Sequence, residues 1–231
     1  GRVTPNQKRK LVRALQRQGH TVAMTGDGVN DVLALKDADC SIAMASGSDA
    51  ARQISQLVLL DSDFASLPDV LAEGRRVVNN ITRVASIFFV KTIYSAILSV
   101  ICILANTPFP FVPIQITLID LAIEGYPTLF MSFEPDGRKV TSRFLPSVMR
   151  RALPNALTIV ADVLLVWALA PVLGIPEAQG EAIMYLLVGL MGVAAVFKSC
   201  WPFNKLRVFL FTTMTLGFYA AVFLFRDLLH V

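Results

Sequence analysis

The chain has 231 residues, of which 55% are hydrophobic and only 16% charged, with a formal net charge of +4. So apolar a composition excludes an ordinary soluble domain and assigns most of the chain to a lipid bilayer. The basic residues fall in short segments between apolar runs, a pattern of membrane topology and not of a phosphate-tracking groove, so no nucleic-acid partner is expected. Cys40, Cys102 and Cys200 are widely spaced, fit no metal or disulfide pattern and read as packing residues. The chain opens on Gly1 without methionine or signal peptide, inside what reads as a domain, and is expected to be a segment of a longer protein.

Residues 1 to 65 have α/β character. Thr4-Pro5 opens a helix that Gly19 closes, with Leu11, Val12 and Leu15 on one face and Lys8 near its start. The run from His20 to Met24 reads as a strand ending abruptly in the loop Thr25-Gly26-Asp27-Gly28-Val29-Asn30-Asp31. Gly26 and Gly28 flank Asp27, so the backbone there can turn tightly and approach a ligand, while Asp27 and Asp31 offer the hard oxygens that Mg²⁺ prefers. Asn30 is the expected N-cap of the helix that follows, whose first amides add donors beside the carboxylates. Two further strands, at 40 to 45 and 57 to 61, flank a short helix at 48 to 56. Continuous apolar strands separated by helices predict a parallel sheet.

From Phe64 the chain becomes helical without an obvious stop, passing through 66 to 83 into an apolar stretch at 84 to 105, long enough to span a hydrocarbon core. Further spans are expected at 114 to 133, 155 to 174, 181 to 200 and 206 to 226, making an all-α transmembrane bundle of about five helices over 84 to 231. Arg138, Lys139, Arg143, Arg150 and Arg151 lie between the second and third spans, and Lys198, Lys205 and Arg207 around the fourth-to-fifth junction. The loops at 106 to 113 and 174 to 181 carry no Lys or Arg. The positive-inside rule then makes both basic loops, and residues 1 to 83, cytoplasmic.

Ionisable residues inside a membrane are expensive and functional by default. Asp120 and Glu124 stand four residues apart on one face of the second span, and Gly125 and Pro127 disturb that helix just after them. In the first span, Lys91, Thr92 and Ser95 cluster within two turns. Counting ~1.5 Å per residue puts Lys91 about 12 Å deep from Arg83 and Glu124 about 14 Å from the cytoplasmic surface of a ~30 Å core, so the two are expected near one another. Lys91 either snorkels to that surface or acts as an internal counter-ion.

The loop resembles the hinge motif of P-type ATPases in the haloacid dehalogenase superfamily, TGDGxNDxPALK, with Val32-Leu33 departing from the usual small residue and proline. Pro5-Asn6-Gln7-Lys8 resembles that family's Pro-x-x-Lys, and Gly74-Arg75 with Asn79-Asn80 resembles its stalk pattern. The sequence Asp120, Glu124, Gly125, Pro127 is similar to the ion-binding sixth helix of the calcium-pump-like group, whose fifth-helix glutamate is replaced here by Ser95. The resemblance implies a haloacid-dehalogenase-like half-domain (1–65, the C-terminal half of the phosphorylation domain), a stalk (66–83) and the transmembrane domain (84–231). It implies ATP and Mg²⁺ as cofactors, and an aspartate nucleophile outside these residues. Asp27 would hold Mg²⁺ with support from Asp31, Lys8 and Asn30 would contact the phosphoryl group, and Thr25, Gly26 and Gly28 would form the cofactor-binding loop. Asp120, Glu124, Ser95 and Thr92 would bind the transported cation, with Lys91 filling one ion position as a modulating charge. Ca²⁺ is the leading ion, with K⁺, Na⁺, Mg²⁺ and Mn²⁺ open.

The expected partners are therefore that cation, the lipid bilayer and the rest of the same pump polypeptide, in a multi-pass protein of the plasma membrane. The chain is expected to be an enzyme only when full length and inactive as 231 residues alone. Two alternatives stay open: a membrane-tethered phosphatase of the haloacid dehalogenase type, and a non-catalytic pseudo-pump.

Overall fold

The structure, a computed structural model, describes residues 3–140 and 143–231. Residues 1, 2, 141 and 142 lie outside it; the first two belong to the expected half-domain and the others to the loop between the second and third expected spans. Contacts divide the chain into two units, Gly1–Ala72 and Glu73–Val231.

In the first unit, α1 (Pro5–Arg17) has Pro5 in its first turn, where a missing N–H costs nothing, and the Thr4 N–H donates to Gln7 Oε1 at 2.9 Å. Gly19, with φ of 84°, ends it. β1 (Ala23–Gly26), β2 (Cys40–Met44) and β3 (Leu57–Leu59) form a parallel sheet in chain order, with Gly26 opposite Ala43 and Met44 opposite Leu59. The connections are helices α2 (Val32–Asp37) and α3 (Asp49–Ile54), as parallel strands require. Leu35, Ala43 and Ala51 form the buried centre, packed by Met24, Ile54 and Val58. α1 is fastened by polar contacts at its exposed face: Arg9 and Arg13 donate to Asp37 Oδ2 at 2.6 and 2.7 Å. Their hydrogen bonds hold the Asp37 carboxyl below its ordinary range.

α4 is one unbroken helix over Leu67–Ala105. No break separates 66–83 from the apolar stretch that follows, because no proline or strong cap intervenes between Pro68 and Ala105. Among the described residues, four helices are long and apolar enough to cross a membrane: the one ending at Ala105, α7 (Phe144–Val172), α8 (Glu177–Cys200) and α9 (Lys205–Leu224). The expected span at 114 to 133 is built differently. It runs as α5 (Pro113–Ile119), a π-helical segment (Asp120–Gly125) and α6 (Tyr126–Met131), three pieces without a gap. α7 starts at Phe144, ahead of the expected 155, and carries Pro154 inside it. That proline leaves the Arg150 carbonyl without its helical donor, while Thr158 Oγ1 donates to the Pro154 carbonyl at 2.9 Å. A short α10 (Arg226–Leu229) follows α9, and Gln115 Nε2 caps its end by donating to the Leu229 carbonyl at 2.7 Å.

The second core is continuous from α4 to α9 and includes Tyr94, Leu98, Ile123, Tyr185 and Phe218. α8 and α9 approach closely at Gly189, where a Cβ would stand 2.6 Å from two ring carbons of Phe218. Small residues at such crossings are how membrane helices gain dispersion contacts.

Candidate functional site

The hinge loop of the first unit leaves β1 at Gly26 and enters a 3-10 turn, Val29–Asp31, before α2. Asn30 therefore sits inside that turn instead of capping α2, whose first residue is Val32. Asp31 is buried and its Oδ1 accepts from Lys8 Nζ at 2.5 Å, so the Pro-x-x-Lys helix and the loop meet as an ion pair. A Cβ on Gly26 would stand 2.5 Å from Asp31 Cβ and 3.0 Å from its Oδ2, so glycine is required for Asp31 to fold back against the strand end. Asp27 is exposed, and its carbonyl accepts from Ser48 N at 2.7 Å. A Cβ at Gly47 would meet that carbonyl at 2.7 Å. Gly47 and Ser48 thus fix the Asp27 backbone, a role the sequence reading missed; the turn-forming Gly-Ser-Asp at 47 to 49 was the available signal.

The donor set suits magnesium. Among the described residues no three His, Cys, Asp or Glu side chains gather into a metal cluster. Asp27 and the Asp31 oxygen not engaged by Lys8 are two hard donors on one loop, and Mg²⁺ commonly takes one or two carboxylates and keeps water or phosphoryl oxygens for the rest.

In the second unit, Lys91 Nζ on α4 donates to Asp120 Oδ1 at 2.6 Å, where α5 passes into the π-helical segment. One turn on, Glu124 is 4% exposed and its Oε2 has no hydrogen-bond partner among the described residues. The hydroxyl of Tyr94, also buried, is likewise unpartnered. Glu124 and Tyr94 line one small cavity of about 20 Å³, walled otherwise by apolar residues such as Ile87, Ile123 and Val188. That is room for one water-sized particle. Sequence reasoning named Lys91, Asp120 and Glu124 but not Tyr94, because a tyrosine on an apolar stretch reads as core. Thr92 is exposed, its hydroxyl donating to the Phe88 carbonyl of its own helix at 3.3 Å, and Ser95 is half-buried.

The π-helical turn has a local cause. Pro127 cannot donate a helical hydrogen bond, and Gly125 lets the Asp120 carbonyl approach so closely that a Cβ would lie 3.0 Å from it. Thr128 then donates its hydroxyl to the Glu124 carbonyl and, at 3.2 Å, to that of Gly125. The chain is irregular there, and the Thr128 hydroxyl covers two of the carbonyls that the disturbance frees, as a membrane interior favours.

A third group was not foreseen. Arg83 donates to Glu134 Oε2 at 2.8 Å and to Asp136 Oδ2 at 3.0 Å, all three buried. Asn80 Nδ2 donates to the carbonyls of Ser132 and Glu134 at 2.9 and 2.8 Å, and Asn79 Nδ2 to that of Arg138 at 2.9 Å. Asn204 and Arg207 reach Glu134 from the start of α9 at 2.8 to 3.0 Å. Burial raises the Glu134 carboxyl, but the hydrogen bonds from Arg207 and Asn204 outweigh it and hold it below its ordinary range. The hydrogen bond from Arg138 does the same for Asp136 against the cost of burial. Asn79 and Asn80 of α4 thus clamp the loop at 132 to 138.

The α/β unit with its Lys–Asp hinge loop has a haloacid-dehalogenase-like fold, and helices apolar enough to cross a membrane follow it. Residues 1–39 match the family described as haloacid dehalogenase-like hydrolase. The chain is 49% identical over 228 residues to a probable cation-transporting ATPase, exp7, of Streptococcus pneumoniae, covering 95% of this chain and 29% of that protein. It is 48% identical over 169 residues to the calcium-transporting ATPase CtpE of Mycolicibacterium smegmatis, covering 69% of this chain and 21% of that one. A calcium-transporting ATPase of Bacillus subtilis is 38% identical over 138 residues, or 59% of this chain and 16% of that protein. Over most of its length the chain is similar to proteins named as cation- or calcium-transporting ATPases, and it spans under a third of the length of these relatives.

Proposed function

We propose that this chain forms the hinge and the ion-binding membrane part of an ATP-driven cation pump. The observation that carries the reading is Glu124, a buried carboxylate with an unpartnered oxygen, one turn from Asp120 in a helical segment interrupted by a π-helical turn. A buried charge without a partner is strongly unfavourable, and a bound cation is what would compensate it. Asp120, already engaged by Lys91, supplies a second carboxylate one turn away, leaving Glu124 as the acid without a partner among the described residues. Ca²⁺ is the leading ion, since carboxylate, hydroxyl and carbonyl oxygens suit it and two of the relatives above are named calcium-transporting.

In the cytoplasmic unit, Asp27 and Asp31 would hold Mg²⁺, which supplies charge neutralisation for the transferred phosphoryl group. Lys8, fixed by Asp31, would neutralise phosphoryl oxygens, Asn30 would donate to them, and Thr25, Gly26 and Gly28 would let the backbone approach. ATP hydrolysis belongs on this reading to the full-length protein, with the phosphorylated aspartate outside these 231 residues and the protein in the plasma membrane.

The test is ATPase activity of the full-length protein titrated separately with Ca²⁺, Mn²⁺, Mg²⁺, K⁺ and Na⁺. One ion should stimulate turnover, and Glu124→Gln and Asp120→Asn should move that stimulation to much higher concentration or abolish it. Wild-type ion dependence in both variants would refute the site. Turnover of simple phosphate esters that none of these cations stimulates would favour a membrane-tethered phosphatase.

A further inference from the structure

We propose that a basic cavity between α4, α7 and α8 binds the phosphate headgroup of an anionic phospholipid. The cavity measures about 390 Å³ and is lined by Arg83, Arg138, Arg150, Arg151 and Lys198, with Trp201 among its walls. It lies beside the middle of α4, near the start of α7 and the end of α8, next to the basic segments at 138 to 151 and 198 to 207.

The charges there are not all spent on the protein. Arg83 is committed to Glu134 and Asp136, and Arg138 to Asp136 at 2.8 Å. Lys198 Nζ donates to Asn155 Oδ1 at 2.9 Å, a neutral acceptor that leaves its charge uncancelled. Arg150 and Arg151 have no carboxylate partner among the described residues. Three cations thus line one concave site without a carboxylate partner among the described residues. Guanidinium groups match phosphate oxygens in pairs, and basic pockets between membrane helices on the cytoplasmic side are where lipid headgroups bind.

The surroundings favour a lipid over a soluble phosphate. Trp201, 70% exposed at the end of α8, is the residue type that settles at the headgroup level. Within a few residues of the basic side chains, Leu157 on α7 and Phe197 on α8 are exposed apolar groups, available to acyl chain.

The test uses the full-length protein in detergent, supplied with phosphatidylglycerol, phosphatidylcholine or glycerol 3-phosphate. Bound lipid is read by native mass spectrometry, and the midpoint of thermal unfolding is followed in parallel. Phosphatidylglycerol should bind and raise the midpoint, with phosphatidylcholine and glycerol 3-phosphate doing neither. The triple variant Arg150→Gln, Arg151→Gln, Lys198→Gln should bind phosphatidylglycerol roughly a hundredfold more weakly, about fivefold for each charge removed. Arg150→Lys with Arg151→Lys should retain most of the binding. Equal binding of the two lipids, or undiminished binding by the triple variant, would overturn the proposal; so would glycerol 3-phosphate acting as strongly as the lipid. Should the triple variant not fold, photoactivatable phosphatidylglycerol on the wild type decides: labelling at the cavity supports the site, and labelling only elsewhere overturns it.

Discussion

The ammonium of Lys91 lies 2.6 Å from Oδ1 of Asp120, while Glu124, one turn further on, keeps an oxygen unpartnered among the described residues. Counting depth along ideal helices puts Lys91 level with Glu124. The hydrogen bond goes to Asp120 instead, because two carboxylates one turn apart differ by only ~6 Å in height, less than a lysine side chain can reach across. The two acids are therefore unequal: one is neutralised within the protein and the other is not.

Lys91→Met should free Asp120 and raise the affinity of the full-length protein for its stimulating cation by about tenfold, equivalent to about 1.4 kcal/mol. The measurement is the ion concentration giving half-maximal ATPase activity, with Asp120→Asn alongside. A Lys91→Met profile that overlays wild type would mean the ion pair is a surface contact with no bearing on ion binding.

Tyr94→Phe keeps the ring and removes the buried hydroxyl of a residue that lines the same small cavity as Glu124. If that hydroxyl serves the bound ion, directly or through one water, half-maximal stimulation should move about three- to tenfold upward, the worth of one hydrogen bond. If it serves nothing, deleting a buried unsatisfied hydroxyl should raise thermal stability and leave the ion dependence alone. The two measurements together separate these outcomes.

Gly26→Ala tests the hinge without touching a charge. Its Cβ would need space now held by Asp31 Cβ, so Asp31 must leave Lys8, and turnover should fall at least about 100-fold, as when a charge-stabilising donor is lost. Asp27→Asn should be similarly inactive with the membrane helices still folded. Near-normal turnover in Gly26→Ala would show that the Lys8–Asp31 pair is dispensable.

Much of this was legible in the sequence for particular reasons. The strand–loop–helix at Thr25 to Asp31 is written in local signals, glycines beside acids after an apolar run, and the acids at Asp120 and Glu124 stand out because their surroundings are apolar. The π-helical turn was only half legible: Gly125 and Pro127 signal a disturbance, but not that it takes the form of a wide turn over Asp120–Gly125. The loop clamp was illegible, since Arg83 and Glu134 are 51 residues apart and nothing local to either predicts the other. Gly189 was overlooked for the same reason, its partner Phe218 lying on another helix.

Gly189→Ala should cost about 1–3 kcal/mol by forcing α8 from the Phe218 ring. Thermal unfolding in detergent reads this directly, and a shift within error would mean the α8–α9 crossing relaxes freely.

The clamp makes a pH prediction. Glu134 and Asp136 are held below the ordinary carboxylate range when folded, so their contribution is present above the unfolded values of about 4 and is lost as pH falls through the lower folded ones. Thermal stability should hold between about pH 7 and 5 and drop below about pH 4. Glu134→Gln with Asp136→Asn should start less stable and show a shallower acid limb; an unchanged limb would assign acid sensitivity elsewhere. Arg83→Ala, leaving buried carboxylates short of a partner, should cost about 3 kcal/mol at neutral pH.

Residues 132 to 138 obtain most of their described hydrogen bonds from side chains on two other helices, Asn79, Asn80 and Arg83 on α4 and Asn204 and Arg207 beside and within α9. The loop's shape is thus borrowed. It cannot form before both helices have come together, which makes it a late arrival in assembly and a non-local contact of the slow kind. Grafted alone into another bundle, the seven residues would carry their sequence but not their conformation; moved together with those five side chains, they should keep it.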